Sequence, residues 1–193
     1  MVLKTREKLI DVARQLFTNK GIENTTMNDI AAASEKGRRT IYTYFKNKRE
    51  IYNAVIERES EQLVVNLRRV MDMPLTPVER LERFINVRFD IIESSTYRHN
   101  PFRSFFMRDM RRLEHVRRLA VAKEIEMLDR LISEGISSGD FDPDAASRLK
   151  PMLLMIFQGV DFSFLRNNFD DLLIDRTTLR QQIIKFVLHG IKP

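Results

Sequence analysis

Six side chains that can bind nucleic acid fall within seven consecutive residues near the N-terminus. They are Arg38, Arg39, Thr40, Tyr42, Thr43 and Tyr44. Arginine can donate two hydrogen bonds to O6 and N7 of guanine, and threonine can bond a base or touch a thymine methyl group. A phenolic hydroxyl can donate to a phosphate oxygen. This density of donors predicts a surface that contacts DNA.

Two short helices must position these side chains. Thr26 followed by Asp29 is typical of a capping box at the start of one helix, and Gly37 is expected to form a sharp turn before the next. Ile41 and Phe45 have the spacing of a buried face on that second helix. The pattern predicts a helix-turn-helix whose second helix enters a major groove about 12 Å wide.

The charge distribution favours a polyanionic partner for the N-terminal quarter. Residues 1–50 contain eleven basic and six acidic side chains, a net charge of +5, whereas residues 119–193 carry a net charge of −2. The alternative is a basic face that only meets solvent. With no cysteine in the chain, disulfides and thiolate metal sites are excluded. No signal peptide or membrane span is apparent, so we expect a cytoplasmic protein.

The whole chain is expected to be helical. The sequence contains no stretch of alternating apolar and polar residues of useful length, so no strand is predicted. Glycine or proline marks the breaks between the helical patterns. We expect an all-α protein of about nine helices, including a short aromatic element at 102–110. Residues 1–48 form the predicted helix-turn-helix domain, residues 48–71 a long connecting helix, and residues 72–193 a helical bundle.

The run from Thr26 to Lys48 resembles the DNA-binding domain of the TetR family of bacterial transcriptional regulators. The shared pattern is T-x-x-x-I-A at 26–31 and T-I-Y-T-Y-F-K-N-K at 40–48. The family usually has Ala-Gly-Val-Ser where this chain has S-E-K-G at 34–37, and often has glycine at the position of Arg39. Gly37 therefore replaces the serine that normally caps the recognition helix.

The resemblance implies roles for the residues of this run. The base readers would be Arg38, Arg39, Thr40 and Thr43. The phosphate contacts would be Thr26, Tyr42, Tyr44 and Lys48. It also implies that residues 72–193 form a regulatory domain that binds a ligand and dimerises.

The middle helices are rich in phenylalanine and methionine, which suits an adaptable pocket for an apolar ligand. The alternative is an ordinary core. Arg88 lies on an otherwise apolar helix, where it could meet an acidic head group or pair with Asp90 or Glu93. The predicted pocket comprises Phe84, Arg88, Phe89, Phe102, Phe105, Phe106, Met110, Met127, Leu128, Met152, Met155 and Phe157.

The last two helices are apolar around more than one face, which favours burial against a second copy of the chain. The alternative is that both helices lie inside a monomer core. The predicted dimer interface comprises Leu149, Leu153, Ile156, Val160, Phe164, Leu179, Ile183 and Val187.

Enzyme motifs are absent from the sequence. His99, His115 and His189 lack metal-ligand spacing, and there is no glycine-rich phosphate loop or nucleophile elbow. We expect no catalytic residue, metal or cofactor. The predicted function is a homodimeric, ligand-responsive regulator that represses by binding a near-palindromic double-stranded DNA operator and is released by a small, largely apolar effector. The alternatives are a small-molecule sensing protein with incidental DNA affinity and an all-α enzyme.

Overall fold

The structure, a computed structural model, describes residues 2–94, 110–166, 169, 173 and 175–193. These residues form eight α-helices and no strand, which confirms the all-α prediction. The helices are α1 (Val2–Lys20), α2 (Met27–Ala33), α3 (Arg38–Tyr44), α4 (Lys48–Met71), α5 (Pro77–Ser94), α6 (Met110–Ser137), α7 (Pro143–Arg166) and α8 (Arg176–Gly190). The additional short element was predicted at 102–110. Of these residues the structure describes only Met110, where α6 begins. No helix in the described ranges is both long and apolar enough to cross a bilayer.

Helix ends follow the capping signals in the sequence. Gly21 ends α1 with φ of 82°, and its N–H donates to the carbonyl of Phe17 at 3.1 Å. At the start of α5, the Thr76 hydroxyl accepts a hydrogen bond from the Glu79 N–H at 3.3 Å, and the Glu79 carboxylate accepts one from the Thr76 N–H at 2.9 Å. These reciprocal bonds satisfy N–H groups that lack partners inside the helix.

The chain divides into two compact units. The first contains α1, α2, α3, the part of α4 up to Glu61, and residues 110–118 of α6. Within it α2 packs against both α1 and α3. Its core consists of apolar side chains from α1, α2, α3 and α4 that are fully or nearly fully buried: Leu9, Ile10, Ala13, Phe17, Ile30, Ala31, Ile41, Ile51 and Val55.

The second unit contains the end of α4 from Gln62, α5, residues 119–137 of α6, α7 and α8. Helices α5, α7 and α8 pack against one another. Gly135 of α6 permits a close approach by Phe141, whose ring is buried beside it. A Cβ at Gly135 would overlap carbon atoms of that ring. The glycine is therefore required by packing and not by backbone conformation.

The stripe predicted as a dimer interface lies mainly in the core of the second unit. Six of its members are buried there: Leu149, Leu153, Val160, Phe164, Ile183 and Val187. Ile156 and Leu179 are half-buried. Among the side chains that the structure describes in α7 and α8, the large apolar ones that are exposed are Met152, Met155 and Phe186. The stripe that the periodicity identified is thus satisfied within one protomer.

Replacing Gly135 with alanine is expected to destabilise the second unit by about 1–3 kcal/mol, because the added methyl group must displace the Phe141 ring. Ser133→Ala is the matched control, since Ser133 is an exposed residue of the same helix, two positions before Gly135. It should be neutral or gain up to about 0.5 kcal/mol from helix propensity. Chemical denaturation of both variants measures the difference, and equal stabilities would contradict this packing role.

Candidate DNA-binding surface and regulatory core

The helix that carries the predicted DNA contacts is anchored by two buried side chains. Ile41 is completely buried and Phe45 nearly so. The guanidinium of Arg6, from α1, lies 5.5 Å from the centroid of the Phe45 ring. These contacts orient α3 so that Arg38, Arg39 and Thr43 are exposed, as Tyr42 also is at 43%.

Helix α2 begins with the predicted capping box. The Thr26 hydroxyl accepts a hydrogen bond from the Asp29 N–H at 3.1 Å, and the Asp29 carboxylate accepts bonds from the N–H and the hydroxyl of Thr26, each at 2.8 Å. The Thr26 backbone bond, followed by the hydroxyl bond, lowers the pKa of Asp29. Both Thr26 donors are therefore already committed within the protein, so a phosphate would have to compete with Asp29 for them.

The turn between α2 and α3 departs from the expectation for Gly37. The left-handed residue is Glu35, with φ of 57°, whereas Gly37 has φ of −66°. The N–H of Lys36 bonds to the carbonyl of Ala31 at 2.9 Å and that of Glu35 to Ala32 at 3.0 Å. This pair of bonds is the Schellman motif, which favours glycine at the position held by Glu35. The prediction that Gly37 supplies the unusual backbone angles was wrong.

One ion pair and one missing side-chain cap also distinguish this turn. The Glu35 carboxylate accepts a hydrogen bond from Nζ of Lys8 at 2.8 Å; this bond and the charge of Lys8 lower the pKa of Glu35. Gly37 is the N-cap of α3 and supplies no side-chain hydrogen bond. This is expected from glycine at the position where the family usually has a capping serine. The first turn of α3 consequently has no side-chain acceptor from its N-cap residue.

The predicted base readers form one exposed group on α3. The guanidinium of Arg38 lies 5.7 Å from the centroid of the Tyr42 ring, one helical turn away. This cation–π contact restrains a side chain that would otherwise sample many rotamers. The Thr43 hydroxyl donates to the carbonyl of Arg39 at 3.0 Å, so its lone pairs remain for a base donor. Thr40 is partly exposed beside them.

Lys48, predicted as a phosphate contact, makes a structural bond. Its Nζ donates to the carbonyl of Ile22 at 2.6 Å and lies 3.4 Å from that of Glu23. Lys48 thereby fixes the start of α4 to the link between α1 and α2. An ammonium group has three donors, so one remains for a phosphate. Tyr44, the other predicted phosphate contact, is half-buried at the end of α3.

A buried ion cluster occupies the core of the second unit. Arg88 of α5 is 2% exposed. Its Nη1 and Nη2 each donate to one oxygen of Asp161 in α7 at 3.0 Å, and its Nε donates to Oε1 of Glu124 in α6. The Phe157 ring lies 4.1 Å from the guanidinium carbon. Burial lowers the pKa of Arg88, but the attraction of Asp161 and Glu124 outweighs burial and raises it.

The cluster corrects the predicted partners of Arg88. Asp90 and Glu93 instead pair with Arg180 of α8, at 2.6 and 3.0 Å. Sequence reasoning missed Glu124 and Asp161, although a signal was present. Each is an acidic residue on the buried, otherwise apolar face of its helix. Arg88 is likewise a basic residue on the buried face of α5.

The residues of the predicted ligand pocket differ in their burial. Five of its residues are buried in the second unit: Phe84, Arg88, Phe89, Leu128 and Phe157. Met127 is half-buried. Met152 and Met155 are 47% and 73% exposed and lie on the face of α7 opposite to Leu153 and Phe157, away from this buried set. Phe102, Phe105 and Phe106 lie outside the described residues, and the side chain of Met110 is likewise not described.

Replacing Glu35 with glycine should stabilise the first unit relative to Glu35→Ala. Both variants lose the ion pair with Lys8, but only glycine adopts a positive φ without a steric penalty. A melting-temperature difference of roughly 2–4 °C is expected from relief of about one residue's strain. Lys8→Ala serves as the control for the lost ion pair. Equal melting temperatures for the glycine and alanine variants would show that the turn carries no such strain.

Replacing Arg88 with methionine should destabilise the second unit by about 3–5 kcal/mol, because two buried carboxylates lose their partner. Arg180→Met is the matched control, since the Asp90 side chain that it pairs with is 57% exposed; its loss should cost about 1 kcal/mol or less. Urea denaturation at one protein concentration gives both values. If Arg88→Met lost less unfolding free energy than Arg180→Met, Arg88 would not be required to stabilise the two buried carboxylates.

Comparisons with known proteins agree with this geometry. Residues 9–55 match the model of the bacterial regulatory proteins of the tetR family, a range that contains α2, α3 and their connections. The chain is 24% identical over 144 residues to the HTH-type transcriptional repressor KstR2 of Mycolicibacterium smegmatis, covering 72% of this chain and 68% of that protein.

Two solved structures share the fold along almost the whole chain. A TetR/AcrR-family transcriptional regulator from Thermobifida fusca YX-ER1 has a TM-score of 0.74 at 21% identity, covering 97% of this chain and 98% of that one. The transcriptional regulator FadR from Bacillus subtilis, in complex with stearoyl-CoA, has a TM-score of 0.65 at 21% identity, covering 96% and 98%. The anchored helix-turn-helix, the family match and the shared fold lead to one conclusion: residues 9–55 match the tetR family of bacterial regulatory proteins, and the chain as a whole shares its fold with a TetR/AcrR-family regulator.

Proposed function

We propose that this protein is a dimeric repressor that binds a near-palindromic DNA operator through α3 and leaves it when a small, largely apolar effector binds residues 72–193. The observation that carries the proposal is the exposed group of donors on α3, held by Ile41 and Phe45 beneath it. The family relative KstR2 is named a transcriptional repressor, which supports repression over activation. Residues 1–48 would be the DNA-binding domain, and the helix at 48–71 would connect it to the regulatory domain.

The DNA contacts divide into two classes. Arg38, Arg39, Thr40 and Thr43 would read base edges, since they occupy the exposed side of α3 from its N-terminus, the end that enters the major groove in helix-turn-helix proteins. Tyr42, Tyr44, Lys48 and Thr26 would contact phosphates and set the register. Tyr42 has a second role, because its ring restrains Arg38.

Dimerisation would use the last two helices, through the side chains that they leave uncovered. Met152, Met155 and Phe186 are exposed apolar residues on α7 and α8, and large exposed apolar groups mark surfaces that other proteins cover. The half-buried Ile156 and Leu179 would lie at the border of this contact. A two-fold axis would give two copies of α3 for half-sites one helical turn, or a multiple of it, apart.

The effector would act by favouring one of two arrangements of the dimer. A ligand shifts such an equilibrium only by as much as it prefers one state. An effector that binds best when the two copies of α3 are wrongly spaced for successive major grooves would release the operator. Buried aromatic side chains in the second unit, among them Phe84, Phe89 and Phe157, would surround its apolar part. FadR of Bacillus subtilis, which shares the fold, is described in complex with stearoyl-CoA, a ligand with a long apolar chain.

A gel-shift series on DNA from upstream of the protein's own coding sequence tests the function. Arg38→Ala should weaken operator binding by about 1–3 kcal/mol and relax the preference for one base pair, because a bidentate base contact is lost. Tyr42→Phe should weaken binding to all sequences alike, because it removes a phosphate donor and keeps the ring beneath Arg38.

Lys192→Ala is the matched control for charge, since Lys192 is an exposed cation at the C-terminus, outside the first unit. It should leave the affinity unchanged. An absence of binding by the wild-type protein would favour a sensing protein that does not bind DNA. Equal binding by wild type and Arg38→Ala would remove α3 as the reading element.

A further inference from the structure

Lys48 is a cation at the first residue of α4, where the dipole of the helix disfavours positive charge. Its Nζ donates to the carbonyl of Ile22 at 2.6 Å, and the carbonyl of Glu23 lies 3.4 Å away. These carbonyls come directly after the end of α1, where the dipole of α1 favours a cation. The end of α1, and not the start of α4, therefore explains where the ammonium group lies.

The link between α1 and α2 offers the ammonium group a backbone that is already fixed. Ile22 is completely buried, and its carbonyl also accepts a hydrogen bond from the Thr25 N–H at 3.3 Å. Thr25 is buried as well, and its hydroxyl donates to the carbonyl of Gly21 at 2.7 Å. The bond from Lys48 thus joins the start of α4 to a segment held in one conformation.

This bond closes residues 22–48 into a ring. Thr26, the N-cap of α2, lies four residues after Ile22. Phe45, the buried C-cap of α3, lies three residues before Lys48. The ring therefore contains α2, the turn and α3, and one side-chain hydrogen bond joins its two ends.

A fixed orientation of α3 matters more for base readout than for attraction to phosphates. A bidentate hydrogen bond from arginine to guanine requires two donors aligned with the edge of one base. Attraction to the phosphate backbone depends on charge and is independent of sequence. A looser ring would therefore weaken base contacts by Arg38 and Arg39 while keeping most of the affinity for DNA of any sequence.

We propose that Lys48 is a positioning residue for operator recognition: by bonding to Ile22 it closes the ring that holds α3, and it raises the preference for the operator without touching a base. This inference rests on the proposed function, in which α3 reads the operator. It adds to the phosphate contact proposed above, since two of the three ammonium donors are directed at carbonyls and the third is left for a phosphate. A phosphate contact alone would strengthen binding to every sequence alike.

Replacing Lys48 with methionine tests this role, because methionine keeps an unbranched apolar chain and removes both the donors and the charge. Lys46→Met is the matched control, since Lys46 is exposed two residues earlier and its replacement removes the same charge. Fluorescence anisotropy gives the affinity of each full-length variant for the upstream fragment and for an unrelated duplex of equal length. Lys48→Met should lower the ratio of these affinities about tenfold, the value of one bidentate base contact. Lys46→Met should keep it within about threefold.

The ratio separates positioning from a loss of folded protein, because partial unfolding lowers both affinities by the same factor. Lys48→Arg should stay within about threefold of the wild-type ratio, since a guanidinium keeps the charge and can donate to the same carbonyls. Equal weakening on both duplexes in Lys48→Met would reduce Lys48 to a phosphate contact and overturn the proposal.

The wild-type protein provides a test that does not depend on the folding of Lys48→Met. Nitrogen NMR of the lysine ammonium groups, with the Lys48 signal assigned by its loss in Lys48→Arg, measures their exchange with water. In the absence of DNA, the Lys48 ammonium should exchange about tenfold more slowly than that of the exposed Lys46. Equal exchange rates would mean that the ring is open in solution and would overturn the proposal.

The same measurements distinguish this inference from the proposed function. Operator binding by wild type, with an unchanged affinity ratio in Lys48→Met, would overturn the role of Lys48 and leave the repressor intact. A wild-type protein that binds neither duplex would overturn the repressor and the recognition role together, whatever the exchange rate of Lys48. A lowered ratio in Lys48→Met, an unchanged ratio in Lys46→Met and slow exchange at Lys48 support both.

Discussion

The proposed DNA-reading surface depends on the burial of two side chains beneath a helix of seven residues. A helix as short as α3 is not stable alone in water, because its few hydrogen bonds do not offset the cost of nucleation. Ile41 and Phe45 attach it to the core of the first unit. Because Gly37 provides no side-chain cap, this burial is the principal restraint on the orientation of Arg38 and its neighbours.

Much of the first unit follows from its sequence, because local signals determine it. Thr26 and Asp29 form the expected capping box, and Gly21 ends α1 with a positive φ. The turn before α3 was assigned to the wrong residue, since Glu35 adopts the left-handed conformation despite its side chain. Propensity favours glycine there, whereas the two backbone hydrogen bonds of the Schellman motif fix the backbone of whichever residue occupies the position. The hydrogen bonds of Lys48 could not be predicted from local signals, because the carbonyl groups that accept them lie on a distant part of the chain.

The second unit was less predictable because its polar contacts join residues far apart in sequence. Periodicity identified the apolar stripes of α7 and α8, but it could not tell whether a stripe faces the protomer's own core or a second copy. The structure resolves this at Leu153 and Val187, which are buried within the unit, while Met155 remains exposed. Arg88 was recognised as unusual, but its partners are 36 and 73 residues away, beyond the reach of any local pattern.

The ion cluster also constrains how this protein can change over evolutionary time. Loss of Arg88 leaves two acids buried without their partner, and loss of either acid leaves N–H donors of Arg88 without an acceptor in an apolar setting. Replacing all three by apolar residues of similar volume can be neutral or favourable, but every single step towards that state passes through a less stable protein. Positions 88, 124 and 161 are therefore expected to vary together among descendants of this sequence, so that the cluster persists as a trait inherited as a whole.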